Sequence, residues 1–431
     1  VVYQLMAKPK ILVLADEIAK QAIFDAGYDT IDINQKAEYL AILIDMDGNR
    51  SQFAQDIIDK LGDNANTRLL TFAWLHDNPT PENYKKMIEI GFDGVFTSAT
   101  PTKFISARLD AAIRIKIMAK EAQVRSQSIE TYEPKRFVFD KIEKKPFRVL
   151  LYGEPCPFSL KITSILDTVG INTIAALSSF TAFDFLHRGN FDAIIVVAKD
   201  DKNGIGAFCN GLRRNSRLYH LPCVVFANED FDNLEELIER GASDVNYIGL
   251  EDELAIARLM SLIDEKRRRE QLAIAFAMTK TAKVADSGTG LYNSDFFATH
   301  FLNSIYHMRR SKQDLSIGFL RISPNFNDEK ANNFQTLRRV LTQAGSMIAR
   351  LIRVEDSAFK TDTLDFAIMF PAADAAAANN AINRICAVIE TSAFSIGPDE
   401  AVSVITNKYI HQVTEGDDLT LLLSIAQAKL A

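Results

Sequence analysis

Cysteine is scarce in this 431-residue chain, and the four that occur, Cys156, Cys209, Cys223 and Cys386, form no Cys-x-x-Cys pair. That scatter suggests neither a thiolate zinc site nor a disulfide framework, and the four read as small core residues. No apolar run approaches the ~18 residues needed to span a membrane. The opening Val1-Val2-Tyr3-Gln4 lacks the charged and apolar regions of a signal peptide, so a cytoplasmic protein with no transmembrane segment is expected. Basic excess is missing as well. A formal charge of −7 and a pI near 5.6 argue against the basic stripe of a general nucleic-acid surface. Any nucleotide ligand must be caught by a few placed residues.

The length favours about three domains, and 47% hydrophobic with 24% charged residues is the composition of a soluble globular chain. Short apolar runs at Ile11–Leu14, Leu40–Ile44 and Arg68–Ala73 alternate with helical stretches. Such alternation implies βαβ units and a parallel sheet covered on both faces. Ile105, Leu109, Ile113 and Ile117 recur at i, i+4, the core stripe of a closing helix.

The same order returns about 150 residues later. Val149–Tyr152 leads to Gly153-Glu154, Ala193–Val197 is a second apolar run, and Cys223–Ala227 is matched to Leu69–Ala73. Gly91-Phe92-Asp93-Gly94-Val95 pairs with Gly241-Ala242-Ser243-Asp244-Val245. A whole domain is duplicated, since solenoid repeats have periods of ~20–50 residues. On these residues the chain resembles the receiver domains of two-component response regulators, twice over. The resemblance implies a flavodoxin-like (CheY-like) α/β fold and a phosphoryl-accepting carboxylate supported by metal-holding acids, a Thr or Ser and a Lys, because a carboxylate nucleophile needs cations beside the incoming charge. Carried over by position, the first copy keeps Asp45 as candidate phosphoacceptor and Asp16 as one acid, with Ala15, Phe72 and Ser98 at the other positions. The second has Gly153, Glu154, Val197, Phe226 and Ile248 there, which rules out phosphorylation by this route. The first copy is also short between Asp16 and Asp45, as though one helix were missing.

Between the copies, Glu133-Pro134-Lys135-Arg136 through Lys144-Lys145-Pro146 is polar and bounded by prolines, as a linker should be. Beyond the second copy, Leu254, Ile256, Leu259, Leu262 and Ile263 start a helical stripe that runs through Glu265-Lys266-Arg267-Arg268-Arg269-Glu270 toward Ala285. Its basic run reads as a solvated face, and a long helix of this kind offers a dimerisation surface.

From Asp286 the chain reads Asp286-Ser287-Gly288-Thr289-Gly290-Leu291-Tyr292-Asn293. This is similar to the opening of GGDEF domains, which as diguanylate cyclases condense two GTP into cyclic di-GMP with two Mg²⁺ ions held by carboxylates. Two receivers followed by GGDEF is the PleD-like architecture. It implies an α/β chain with receivers at 9–130 and 147–270 and a nucleotidyl-cyclase-like α+β domain at 271–431. The catalytic positions depart from the family. Arg321 stands at the first metal acid, Glu329 and Arg338 at the guanine readers, and Asp362-Thr363-Leu364-Asp365-Phe366 at the signature. Both signature glycines and the metal acid at the third position are replaced, so no catalytic residue and no catalytic metal are expected. The resemblance thus implies a degenerate cyclase that is not an enzyme.

Arg353-Val354-Glu355-Asp356 begins nine residues before that signature, where the resemblance places the Arg-x-x-Asp inhibitory site for cyclic di-GMP. A guanidinium can bond a phosphate or the O6/N7 edge of guanine bidentately, and a carboxylate can accept from the guanine N1 and N2 donors. The stretch reads as a helix end carrying both residues on one side, then a tight turn and a buried strand stopped by Pro371. Arg384, in a helix expected over Ala375 to Ile389, falls where some members supply a second arginine. The pattern is most similar to PopA-type effectors. That resemblance implies a cyclic di-GMP-binding, cell-cycle signalling protein, dimeric, acting through protein partners such as proteolysis adaptors or substrates, and localised to the cell pole. The alternatives are an active or residual diguanylate cyclase and a ligand-free dimeric scaffold.

Overall fold

In the computed structural model the described residues are 10–32, 41–46, 70–133, 146–198, 202–215, 217–228, 231, 234–249, 252–311, 313–325, 334–361, 365–398 and 400–430. The expected linker, at 134–145, lies outside them, as do 33–40, where the first copy was read as lacking a helix. Contacts group the described residues of Ile117–Phe139 and Leu272–Ala431 into one compact unit, and those of Lys8–Lys116 and Asp140–Gln271 into another.

The second unit holds two parallel sheets. In the first, β1 (Lys10–Leu14), β2 (Asp29–Ile31), β3 (Ala41–Asp45), β4 (Leu70–Leu75) and β5 (Gly94–Thr97) take the order β2-β1-β3-β4-β5. Helices α1 (Glu17–Asp25), α2 (Pro81–Ile90) and α3 (Thr102–Glu130) follow β1, β4 and β5. The second sheet repeats the plan with β6 (Phe147–Tyr152), β7 (Ile171–Ala176), β8 (Ala193–Ala198), β9 (Cys223–Ala227) and β10 (Asp244–Tyr247), ordered β10-β9-β8-β6-β7. Its helices are α4 (Pro157–Thr168), α5 (Ser179–Arg188), α6 (Lys202–Arg214), α7 (Glu236–Glu239) and α8 (Asp252–Met278). This is the doubly wound order of flavodoxin-like sheets. The central strands β8 and β9 are buried along their whole length, which is why they read as unbroken apolar runs.

Register corrects one part of the sequence comparison. Asp45 pairs with Trp74 while Val197 pairs with Phe226, so Cys223–Ala227 corresponds to residues 71–75 and not to Leu69–Ala73. Phe72, expected at the Thr position beside Asp45, sits mid-strand against Leu43 and stacks on Phe96 at 5.1 Å. A continuous apolar run carries no alternation to fix its register, which explains the two-residue slip. The helical stripe after the second sheet also ends earlier than Ala285, at Met278. Thr279 then turns back to donate to the Phe276 carbonyl.

The other unit is built on an antiparallel sheet ordered β12-β13-β11-β16 from β11 (Leu315–Pro324), β12 (Ser357–Lys360), β13 (Asp365–Pro371) and β16 (Val404–Gln412). The short pair β14 (Phe394–Gly397) and β15 (Glu400–Val402) lies apart from it. Side chains alternate cleanly along β11 and β13. Leu320, Ile322, Phe366, Ile368 and Phe370 pack with α10 (Phe334–Leu351) and α11 (Ala375–Glu390) on one face. Ile317, Phe319, Ala367 and Met369 pack with α9 (Ser294–Ser311) and α12 (Leu419–Leu430) on the other. Gly345 lets α10 approach the Thr289 backbone, where an added Cβ would lie 2.7 Å from the Thr289 carbonyl oxygen. This contact presses α10 against the 286–293 turn.

Candidate functional site

The 286–293 stretch is a closed turn. The Asp286 carboxylate accepts from the Thr289 amide at 2.8 Å and its hydroxyl at 2.6 Å, and the Asp286 amide donates to the Leu291 carbonyl. Asn293 caps α9 by accepting from the Phe296 amide. No ligand-directed role follows from these bonds. The Asn293 cap sets where α9 begins.

At the far end of β11, Arg321 and Asp365 face each other in register across the β11–β13 ladder. Two parallel bonds join them, Nε to Oδ1 at 2.7 Å and Nη2 to Oδ2 at 2.9 Å. The remaining guanidinium nitrogen donates to the Leu430 carbonyl at 3.1 Å, so the end of α12 is fixed to the same point. The position at which the resemblance puts a metal acid is thus a cation that neutralises the neighbouring carboxylate. Of the other replaced positions, Arg338 is exposed on α10, while Glu329 and Asp362-Thr363-Leu364 lie outside the described residues. Among the described residues no group of three or more His, Cys, Asp or Glu is placed to hold a metal ion.

The Arg353–Asp356 stretch differs from the sequence reading. Helix α10 stops at Leu351, and residues 353–356 form a turn closed by the Asp356 amide donating to the Arg353 carbonyl at 3.1 Å. Asp356 is buried, and its Oδ2 accepts from the Arg353 amide at 2.9 Å. The expectation of a helix end that carries both side chains on one side is therefore corrected: the helix has already stopped, with Asp356 turned in and Arg353 exposed. The Arg353 amide lies past the last helical residue and, like any backbone donor, needs an acceptor, which Asp356 turns in to supply. Arg353 is exposed on the same turn. Arg384, exposed on α11, donates to the Leu351 carbonyl at 3.0 Å and so stands at the same end of α10. Burial, and then the adjacent Glu355 carboxylate, push the Asp356 carboxyl up to about 7, against the pull of Arg353 and Arg125.

Behind this turn lies a buried polar cluster that the sequence did not disclose. Arg125 of α3 donates from one Nη2 to the carbonyls of Glu355 and Asp356, at 2.7 and 2.8 Å. Its Nε pairs with Glu121 Oε1 at 2.7 Å, and its guanidinium lies 4.3 Å from the centre of the Phe276 ring. Glu121 Oε1 also meets His300 Nε2 at 3.1 Å and Ser357 Oγ at 3.3 Å. Burial opposes ionisation of Glu121, but His300 and Arg125 outweigh it and hold the carboxyl below its ordinary range. The only local signal was a Glu and an Arg four residues apart on one helix, a spacing that usually marks a solvated pair.

In the first parallel sheet, Asp45 ends β3 and Asp16 caps α1, accepting from the Ala19 amide at 2.9 Å. His76, which follows β4 and was not singled out from sequence, lies 3.7 Å from Asp16, and Ser98 donates to the His76 carbonyl. In the second sheet, Gly153 has φ +147°, and an added Cβ would lie 2.6 Å from the Val197 carbonyl. Val197 and Phe226 are buried there with Phe158, whose ring lies 5.0 Å from that of Phe226. Of the positions carried over, Val197 puts an apolar side chain where the resemblance has the phosphoacceptor acid.

No family model and no curated protein matches the chain. Among solved structures, it is similar to the FimX GGDEF domain from Pseudomonas aeruginosa at 14% identity and a TM-score of 0.31, over 34% of this chain and 91% of that one. It is similar to the GGDEF domain of DgcB from Caulobacter crescentus, solved in complex with c-di-GMP, at 16% identity and a TM-score of 0.32, over 35% and 86%. A putative response regulator from Chloroflexus aurantiacus is similar at 18% identity and a TM-score of 0.26, over 28% of this chain and 99% of that one.

Proposed function

We propose that the chain is a catalytically inactive GGDEF protein, preceded by two degenerate receiver domains, that binds cyclic di-GMP at the Arg353–Asp356 turn and signals through protein partners. The observation that carries this reading is the Arg321–Asp365 fork at one end of β13, while the turn before Ser357, which pairs with Met369 toward the other end, keeps an exposed arginine. A diguanylate cyclase needs divalent ions between carboxylates at that point, and a guanidinium bonded to both oxygens of Asp365 supports loss of the chemistry. On the turn, Arg353 and Arg384 are the residues that would bond phosphate or a guanine edge. Asp356 turns inward and holds the turn on which Arg353 is exposed.

Asp45 remains the candidate phosphoacceptor of the first receiver-like sheet, at the carboxyl end of β3 near Asp16. Assembly as a homodimer, and the choice of protein partners, belong to the same proposal. Calorimetric titration of cyclic di-GMP into the wild type and into Arg353→Ala tests it. Micromolar binding by the wild type and loss in the variant is the expected result, together with no GTP turnover in Mg²⁺. Turnover above background would favour an active cyclase. Equal titrations would remove the turn from the account.

A further inference from the structure

The turn that carries Arg353 has its backbone held from behind by a side chain more than two hundred residues away in sequence, Arg125. One Nη2 bridges two consecutive carbonyls, those of Glu355 and Asp356, so rotation of the peptide unit between them breaks a buried charge-assisted bond. Arg125 cannot move alone either. Its Nε is tied to Glu121, Glu121 to His300 and Ser357, and His300 Nδ1 to Ser128 at 3.1 Å. Glu121, Arg125 and Ser128 all lie on α3, whereas His300 belongs to α9 and Ser357 opens β12 directly after the turn. Arg125, Glu121, His300 and Ser357 are all buried, which removes water as a substitute partner for any bond that is lost.

We propose that Arg125 makes the Arg353–Asp356 turn and the Ile117–Glu130 part of α3 one conformational unit, so that cyclic di-GMP bound at the turn changes the stability of that helical segment. This rests on the ligand assignment above. A ligand that grips Arg353 fixes the turn. The turn fixes Arg125, and Arg125 holds α3 through Glu121. Arg125 thereby acts as a positioning residue that never touches the ligand.

Hydrogen exchange of the full chain, with calorimetry run in parallel, tests this. Saturating cyclic di-GMP slows exchange across Ile117–Glu130 by about fivefold or more in the wild type. The double variant Glu121→Gln/Arg125→Gln, which leaves no buried carboxylate unpaired, still gives binding heat but no slowing in that segment. Without ligand, it exchanges the Asp356 and Ser357 amides about tenfold faster than the wild type, while amides in β11 are unchanged. Arg125→Lys keeps a charge beside Glu121 but lacks the planar fork. It carries the same expectations and serves if the double variant fails to fold. Binding heat without slowing in the wild type, equal slowing in a variant, or unaltered turn amides would each overturn the coupling. Absence of heat in the wild type removes the ligand assignment itself and the coupling with it, and the calorimeter separates that outcome from the others.

Discussion

Arg321 holds both carboxylate oxygens of Asp365 across adjacent strands, at 2.7 and 2.9 Å, and donates its remaining nitrogen to the last turn of α12. One residue thus satisfies a nearly buried acid and fastens the C-terminal helix. Replacing it by Ala strands the Asp365 carboxylate. Breaking a fully buried pair costs roughly 3–5 kcal/mol, and the 23% exposure of the Arg321 side chain lowers the expectation to about 2 kcal/mol. Urea unfolding should show that loss, and Arg321→Ala/Asp365→Ala should recover part of it. A double variant no better than the single one would mean that the pair contributes little.

Asp356 gives a pH dependence whose sign is defined. Its folded pKa of about 7 is raised above the ordinary 3.8 by burial and by Glu355, with Arg353 and Arg125 pulling the other way. The stability tied to its protonated form is complete below about 4 and is lost as pH rises through 7. Asp356→Asn, whose amide oxygen can still accept from the Arg353 amide, should therefore gain stability over the wild type at pH 8 and little at pH 4. Melting the two proteins side by side across this range checks it, and parallel curves would contradict it.

The same titration reaches the ligand. An ionised Asp356 accepts more strongly from the Arg353 amide and so holds the turn more firmly, and the affinity for cyclic di-GMP should rise as pH passes from 6 to 8. The Asn variant should lack this dependence. Isothermal titrations at three pH values suffice.

Gly153 tests the close packing at the end of β6 in the second parallel sheet. Its φ of +147° and the 2.6 Å approach of an added Cβ to the Val197 carbonyl leave no room for a side chain. Gly153→Ala should cost about 1–3 kcal/mol, read as a fall in melting temperature. An unchanged melting temperature would show that the strand end yields.

Much of the architecture was legible because parallel, fully buried strands write themselves as apolar runs. Ile11–Leu14, Ala193–Val197 and Cys223–Ala227 all lie within strands. The same uniformity hid the register of residues 70–75, where Phe72 and Trp74 are equally buried and only pairing with Asp45 tells them apart. Arg353, Asp356 and Arg384 were singled out by their positions in the sequence, and the structure brings them to one end of α10. The inward carboxylate of Asp356 was not legible, because the donor it serves, the Arg353 amide past the end of α10, is known only once the end of the helix is known. Arg125 was beyond reach for another reason. Its partners are backbone carbonyls on a turn far away in sequence, and carbonyls have no signature.

The central claim, that nucleotide binding at the Arg353–Asp356 turn has outlived catalysis, is tested most directly by titrating cyclic di-GMP into the wild type and Arg353→Ala in one calorimeter. The account predicts micromolar binding by the wild type and a loss of about tenfold or more in the variant. No binding by the wild type, or equal binding by both, would contradict it.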